Sequence, residues 1–379
     1  MPALNIISLD VPDPPDYGGI IDIFHKVRSL QATGVEVHLH CFTYGRSMTA
    51  ALEAMCTSVH TYPRRVGWLS QWSSLPYIVY SRRSDRLVAN LRTNDFPILC
   101  EGLHCVYPLL RDNFAHRTVM LRSHNVEHDY YRYLARRERN VVRKLFFAKE
   151  AYLLRRLLGR LPGWLPVAAI SPADSRTLQT KFPNTFWLPP FHGNDTVLSR
   201  EGFGEYALYH GNLSVSENSE IAHWLVDRFD GKNIPLIIAG KRPDGRLRKR
   251  ISLSANVRLL ADPEQPQMAE LIANAHVILL LTDQPTGIKL KLIESLYRGR
   301  FCVANASMVE GTGLEALVVP ANTDVYATTA ALLDRAFDHA AIEQRRSVMR
   351  AHYDNHRNAL LLLGKLGLSP EHEPSDPVG

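Results

Sequence analysis

Leu4-Asn5-Ile6-Ile7-Ser8-Leu9, the turn Asp16-Tyr17-Gly18-Gly19, a helical stretch from Ile20 to about Thr33, and the run Val35–Phe42 follow one another at the start of the chain. Both strand runs are short and largely apolar instead of alternating. That is the pattern of parallel strands covered by helices on both faces. Working outward, similar runs recur at Val59–Tyr62, Pro97–Glu101, Thr118–Arg122 and Val167–Ser171, with helical stretches between them. Strand–helix repetition of this kind predicts an α/β fold with a doubly wound parallel sheet.

The rhythm breaks at Trp187-Leu188-Pro189-Pro190-Phe191-His192-Gly193-Asn194-Asp195, and the polar residues Thr196–Glu205 follow. A Pro/Gly-rich stretch without a period reads as an interdomain hinge. A second series then supplies strands at Tyr206–His210, Pro235–Ala239, Val257–Leu260, His276–Leu281, Phe301–Ala304 and Leu317–Val319. Helices are expected at Glu217–Phe229, Gln265–Asn274, Ile288–Tyr297 and Asp324–Asp338, and one long helix over Ala341–Leu363. The expected organisation is a first domain over 1–190, a second over 191–340, a C-terminal helix over 341–368 returning to the first domain, and a flexible tail over 369–379. Two Rossmann-like domains facing a cleft would bind ligands at the carboxyl ends of their strands.

The 379 residues carry a net charge of +6, with ordinary proportions of apolar and charged side chains. That excludes disordered, collagen-like and disulfide-scaffold classes. No window approaches the roughly 18 apolar residues of a membrane span, and the N-terminus has no basic region of a signal peptide. Five cysteines, Cys41, Cys56, Cys100, Cys105 and Cys302, form no CxxC pair. They read as reduced structural thiols of a cytoplasmic protein, peripheral at the inner face of the membrane if it meets one.

Three segments carry chemistry. Gly18-Gly19 sits at a strand-to-helix turn, where backbone can approach a ligand and helix N–H groups can meet an anion; it is not GxGxxG. Arg122-Ser123-His124-Asn125-Val126-Glu127-His128 follows an apolar strand, and Glu101 and His104 end the neighbouring one. So many polar residues at a strand's carboxyl end are expected at the cleft and outside the core. Their spacing fits no metal site. Thr286-Gly287-Ile288-Lys289-Leu290-Lys291-Leu292-Ile293-Glu294-Ser295 is the sharpest signal. Thr286 and Gly287 are expected to start a helix bearing Lys289 and Lys291 in its first turns, where cations oppose the helix dipole unless an anion joins them. Two turns in, Glu294 could accept two ribose hydroxyls. Gly211-Asn212-Leu213 and Gly240-Lys241-Arg242 end two further strands, and Lys241 adds positive charge there.

Over about residues 1–340 the sequence resembles the GT-B glycosyltransferases of family 4. The matching residues are Gly18-Gly19, His124 within Arg-x-His-Asn-x-Glu, Gly211-Asn212-Leu213, and Gly287 through Ser295 with Lys289, Lys291 and Glu294 in place. The resemblance implies a retaining, metal-independent hexosyltransferase that takes a nucleotide-diphosphate sugar as co-substrate and needs no other cofactor. It implies that Lys289 and Lys291, with the Gly18-Gly19 backbone, stabilise the leaving diphosphate, that Glu294 holds the ribose, and that His124 lines the donor-sugar pocket. His124, Glu294 and Lys289 are thus the expected catalytic set. Gly18, Gly19, Gly211, Lys241, Lys289, Lys291 and Glu294 are expected to hold the nucleotide sugar. Arg122, Asn125, Glu101, His104, Thr286 and Gly287 are expected to contact substrate. Two departures stand out: Thr286 occupies a position where many members have Glu, and Val215-Ser216-Glu217-Asn218 lacks their basic pair.

From Arg132 to Arg160 there are ten Lys/Arg against Glu138 and Glu150, a local charge of +8. Phe146, Leu153, Leu157 and Leu161 form one helical stripe there, interrupted by Glu150. The segment is either a core-packed stripe with a solvated charged face or a surface that meets an anionic membrane or a lipid-linked saccharide acceptor; no nucleic-acid signature accompanies it. The expected function is hexosyl transfer to a saccharide or lipid-linked saccharide in cell-surface polysaccharide assembly. The alternatives are a GT-B nucleotide-sugar epimerase and a non-catalytic nucleotide-sugar-binding, membrane-docking protein.

Overall fold

Residues that are apolar on both sides of a strand can be buried only if helices cover both faces of its sheet, and the computed structural model has two such sheets. It describes residues 1–67, 73–112, 114, 116–284 and 286–369. One unit comprises Met1–Gly193 with the C-terminal segment from His352, the other Asn194–Ala351. The first sheet holds β1 (Ala3–Ser8), β2 (Glu36–Thr43), β3 (Ser58–Pro63), β4 (Ile98–Glu101), β5 (Val119–Ser123), β6 (Val167–Ala169) and β7 (Thr185–Trp187). Its order is β3-β2-β1-β4-β5-β6-β7, with every pair parallel. The second holds β8 (Ala207–Asn212), β9 (Leu236–Lys241), β10 (Val257–Ala261), β11 (Val277–Leu280), β12 (Phe301–Ala304) and β13 (Val319–Pro320), in the order β10-β9-β8-β11-β12-β13, again all parallel. In each sheet the order reverses beside its first strand, at β1/β4 and at β8/β11. Those are the switch points where open α/β sheets bind ligands.

The two-sheet architecture agrees with the sequence reading; several boundaries differ. The short edge strand β7 was not foreseen, because Trp187 had been assigned to the hinge. The hinge is also narrower than expected. Leu198 N donates to Tyr297 O, and Arg345 donates to Ser199 Oγ at 3.0 Å, so the chain already belongs to the second unit a few residues after Asn194. The expected single helix over Ala341–Leu363 is two, His339–His352 and Asn355–Leu366. Buried Arg345 fastens the first of them to the second unit through the carbonyls of Gly299 and Arg300. Asp354 caps the second by accepting from Arg357 N, and that helix packs Leu362, Leu363 and Leu366 into the core of the first unit. His192 donates to Tyr353 O at 2.7 Å and Asn355 bonds back to His192, which closes this return. The tail, from residue 370, lies outside the described residues. No helix among those described is long and apolar enough to cross a membrane.

Candidate functional site

In the first unit the helix Gly18–Ala32 starts after β1 with Tyr17 at its N-cap and no side-chain cap. Gly18 is exposed, and a Cβ built there would meet nothing within 4 Å. The helix buries Ile20, Ile23, Val27 and Leu30 against the sheet, and Asp22 and Lys26 with them. These two lie one turn apart, so they emerge on the same face. Lys26 Nζ is 3.1 Å from Asp22 Oδ2 and 2.7 Å from Glu101 Oε1 at the end of β4. Arg122 of β5 donates through Nε to Asp22 Oδ2 at 3.1 Å and through Nη2 to Oδ1 at 3.3 Å, and its other donors reach the carbonyls of Leu188 and Pro189. Phe191 N donates to Asp22 Oδ1 at 2.7 Å.

All four charged side chains are fully buried. The sequence reading put Arg122 and Glu101 at an open cleft as substrate contacts. That is corrected for both: each is spent inside a closed network. Burial alone would raise the Asp22 carboxyl, but Arg122, then Lys26 and His124, outweigh it and hold it well below the usual carboxylate range. Glu101 is likewise lowered, with burial opposed by Lys26 and His124.

This network ends on His124. Its Nε2 donates to Glu101 Oε2 at 3.0 Å, and its Nδ1 lies 3.4 Å from Asp22 Oδ2 without a hydrogen bond. Gly102, with φ +80, turns the chain beside it; a Cβ there would sit 2.9 Å from His104 Nδ1 and 3.5 Å from the His124 ring. Nδ1 of His104 and Oδ1 of Asn125 are buried without partners. Burial, then Arg82 and His124, push His104 well below the usual imidazole value, so it is neutral. Asp22, Glu101 and His124 also bring three potential metal-ligand atoms within 4.8 Å of one another. Lys26 and Arg122 already neutralise both carboxylates, so a divalent ion would bury uncompensated positive charge. The set is therefore an ion-pair network that orients an imidazole.

In the second unit β8 ends in Gly211-Asn212 beside β9, and Gly240 permits the approach: a Cβ there would overlap Gly211 O at 1.8 Å. A Cβ on Gly211 would make only ordinary contact with Asn218. Lys241, opposite Asn212, is exposed, and its ammonium has no hydrogen bond or ion pair among the described residues. The loop after β11 is stitched from several sides. Glu217 accepts from Thr282 Oγ1 and from Asp283 N, and Asn305 clamps Thr282 through both its N–H and its C=O. Sequence reasoning passed over Glu217 except to note a missing basic pair; only the fold brings it to this loop.

The helix expected to start at Thr286 begins instead at Leu290, with Lys289 at its N-cap and Gly287 at φ +70 in the turn before it. Lys289 Nζ donates to the carbonyls of Gln284 (2.7 Å), Ser307 (3.1 Å), Thr286 (3.3 Å) and Gly287 (3.4 Å). This corrects the argument that a lysine placed here needs an anion, since backbone carbonyls take its charge. Lys291 Nζ reaches Leu281 O at 3.3 Å and lies over the Tyr209 ring. Burial, only partly offset by Glu217 and reinforced by Lys289, brings its pKa down to about 8. Thr286 Oγ1 is buried without a partner. Glu294 is half-buried and its carboxylate makes no hydrogen bond among the described residues; burial raises its pKa, with Arg298 opposing. The next residue, Ser295, bonds through Oγ to His210 Nε2 at 3.0 Å, tying this helix to β8.

Comparison with known proteins follows the same lines. No family model matches the sequence. HepE of Anabaena, solved with UDP-glucose, superposes with a TM-score of 0.62 at 14% identity, over 96% of this chain and 99% of that one. A TarM variant from S. aureus, solved with fondaparinux, α-GlcNAc-glycerol and UDP, gives 0.63 at 10% identity over 97% and 100%. A glycosyltransferase from Rickettsia africae gives 0.61 at 10% identity over 96% and 97%. The chain has the GT-B fold. In sequence it is 25% identical over 355 residues to an uncharacterised 44.6 kDa protein in the cps region of Klebsiella pneumoniae, spanning 86% of this chain and 89% of that protein.

Proposed function

We propose that this chain is a glycosyltransferase that moves a hexosyl unit from a nucleotide-diphosphate sugar to a saccharide or lipid-linked saccharide, with retention of configuration. The observation that carries the reading is the set of unspent polar groups at the β8/β11 switch point. Among the described residues the Glu294 carboxylate and the Lys241 ammonium have no hydrogen-bond partner, and Thr286 Oγ1 is buried without one. A buried polar atom left unpaired costs about 1–3 kcal/mol, which a ligand can recover. Nucleotide-bound GT-B structures and the cps-region relative, which points to capsule polysaccharide, support the same reading.

On this reading Glu294 accepts the ribose hydroxyls, and Lys241 and Lys291 meet the diphosphate. Lys289 holds the loop that carries Thr286 and Gly287. The open helix start at Gly18-Gly19 offers N–H groups to negative charge. His124, oriented by Glu101, lines the donor-sugar pocket. The acceptor oxygen forms its bond to the anomeric carbon as the bond to the diphosphate oxygen breaks. The acceptor proton passes to that departing oxygen on the same face. Stabilising the developing diphosphate charge is the largest catalytic contribution, and it requires no metal here because lysines supply the charge.

A thermal-shift screen against UDP-, GDP- and ADP-sugars tests the donor, since a ligand that binds only the native state raises the melting temperature. One nucleotide class should shift the transition, and EDTA should leave transfer unchanged. No shift with any of them would overturn the assignment. A second expected outcome concerns pH. The diphosphate binds the protonated Lys291, whose pKa in the free protein is about 8. Affinity is therefore full below that value and falls as pH rises through it, approaching tenfold per unit above. Lys291→Arg should flatten the profile between pH 7 and 9.5; an equally steep profile in that variant would move the titration to another group.

The basic segment 132–160 is assigned to an anionic membrane surface, the location of a lipid-linked acceptor.

A further inference from the structure

The helices Glu127–Arg137 and Val141–Arg160 pack side by side in the first unit, and a groove of about 450 Å³ runs between them. Arg132, Arg136, Lys144 and Arg155 line it, over a floor of Ala135, Ala148 and Ala151, with Tyr152 at the rim. Among the described residues, no acidic side chain lines it. Arg132 is paired with Asp129 at 2.5 Å. The side chains of Arg136, Lys144 and Arg155 have no ion pair or hydrogen bond among the described residues. The segment's own acids do not offset them. Glu150 turns inward to accept from Tyr77 N at 2.6 Å, and burial raises it to about 7, while Glu138 bonds Asn140 N at the helix junction.

The apolar stripe is core-packed, one of the two readings that the sequence left open. Leu153, Leu157 and Leu161 are buried in the core. A different ridge faces solvent on the same helix: Val141 is 68% exposed, Val142 76%, Leu145 66% and Tyr152 65%. Val141, Leu145 and Tyr152 fall at helical spacing i, i+4 and i+11, and the groove residues Lys144, Ala148, Ala151 and Arg155 occupy the adjacent stripe. One helix thus presents an exposed apolar ridge directly beside a cationic groove. An interfacial helix has this arrangement when its apolar face enters the acyl boundary and its cations meet headgroups.

We propose that this groove is a discrete site for the phosphate-bearing headgroup of an anionic lipid, with the Val141–Val142–Leu145 ridge inserted beside it. The proposal rests on the membrane reading above and sharpens it, from a diffuse basic surface to three named cations. A diffuse field weights all ten cations by distance alone, each contributing about fivefold near the surface. A site weights Arg136, Lys144 and Arg155 more.

The test is sedimentation of the full chain with vesicles of phosphatidylglycerol and phosphatidylcholine at low salt. The triple variant Arg136→Gln, Lys144→Gln, Arg155→Gln is compared with a charge-matched control, Arg139→Gln, Arg156→Gln, Arg160→Gln, which lies outside the groove. Glutamine keeps helix propensity close to that of Lys and Arg. The groove variant should lose at least about tenfold more vesicle affinity than the control, while both retain nucleotide-sugar-induced thermal shifts. Equal losses would overturn the discrete site and leave the diffuse membrane reading standing. Wild-type chain that stays in the supernatant would overturn both. Val142→Ser with Leu145→Ser, which keeps every cation, should weaken binding at least about fivefold; unchanged affinity would overturn insertion of the ridge.

Discussion

Asp22→Asn should unfold the first unit at a much lower urea concentration than the wild type, with a loss of about 3–5 kcal/mol. Asp22 accepts from Lys26, from two nitrogens of Arg122 and from Phe191 N, all in the interior. The asparagine keeps the shape and removes the charge, leaving Lys26 and Arg122 with only the Glu101 carboxylate between them. Breaking a buried network by deleting one partner costs far more than replacing a whole pair. Lys26→Met combined with Glu101→Leu should therefore destabilise less than the sum of the two single changes, because the remaining Asp22–Arg122 pair is balanced. That double variant should still lose transfer activity, since His124 no longer has the Glu101 carboxylate to orient it. A loss below about 1 kcal/mol for Asp22→Asn would mean that the network's desolvation cost cancels its attraction.

The same network sets the response to acid. Asp22 and Glu101 both titrate below their ordinary values in the folded protein. Groups depressed on folding contribute stability that is complete above their unfolded values, near 4, and that is lost as pH falls below them. A urea midpoint that declines below about pH 4 in the wild type, and less steeply in the Lys26→Met, Glu101→Leu variant, is the expected outcome.

Glu294→Gln is the second large effect, and its two readouts should move in opposite directions. Affinity for the nucleotide sugar that shifts the melting temperature should fall by about 1–3 kcal/mol, through loss of charge-assisted bonds to the ribose. Stability without ligand should stay level or rise, because the change removes a carboxylate that burial penalises and no hydrogen bond compensates. A purely structural glutamate would show the reverse: lower stability and unchanged affinity by calorimetry. That result would move the ribose site elsewhere.

The sequence by itself determined the two-sheet architecture. Short, largely apolar strand runs such as β1 and β11 can only be buried on both faces, and the Pro/Gly break before Asn194 separates the two series of them. It also placed His124 and Lys241 at the carboxyl ends of such runs and Glu294 on the helix that follows one, where the structure has them. Tertiary structure alone decided which polar residues are spent. Asp22 and Lys26 sit at helical spacing in plain view among apolar neighbours, a signal that could have been read. Their partners Glu101 and Arg122 are 75 or more residues away, and only the β1-β4-β5 register brings them together. Lys289 looked like a free cation because sequence does not reveal that four carbonyls converge on its ammonium. The exposed ridge of the Val141–Arg160 helix was hidden for a related reason. Both its stripes are apolar, and which one turns to solvent depends on the helix's rotation about its axis, fixed by packing against Glu127–Arg137 and the sheet beneath.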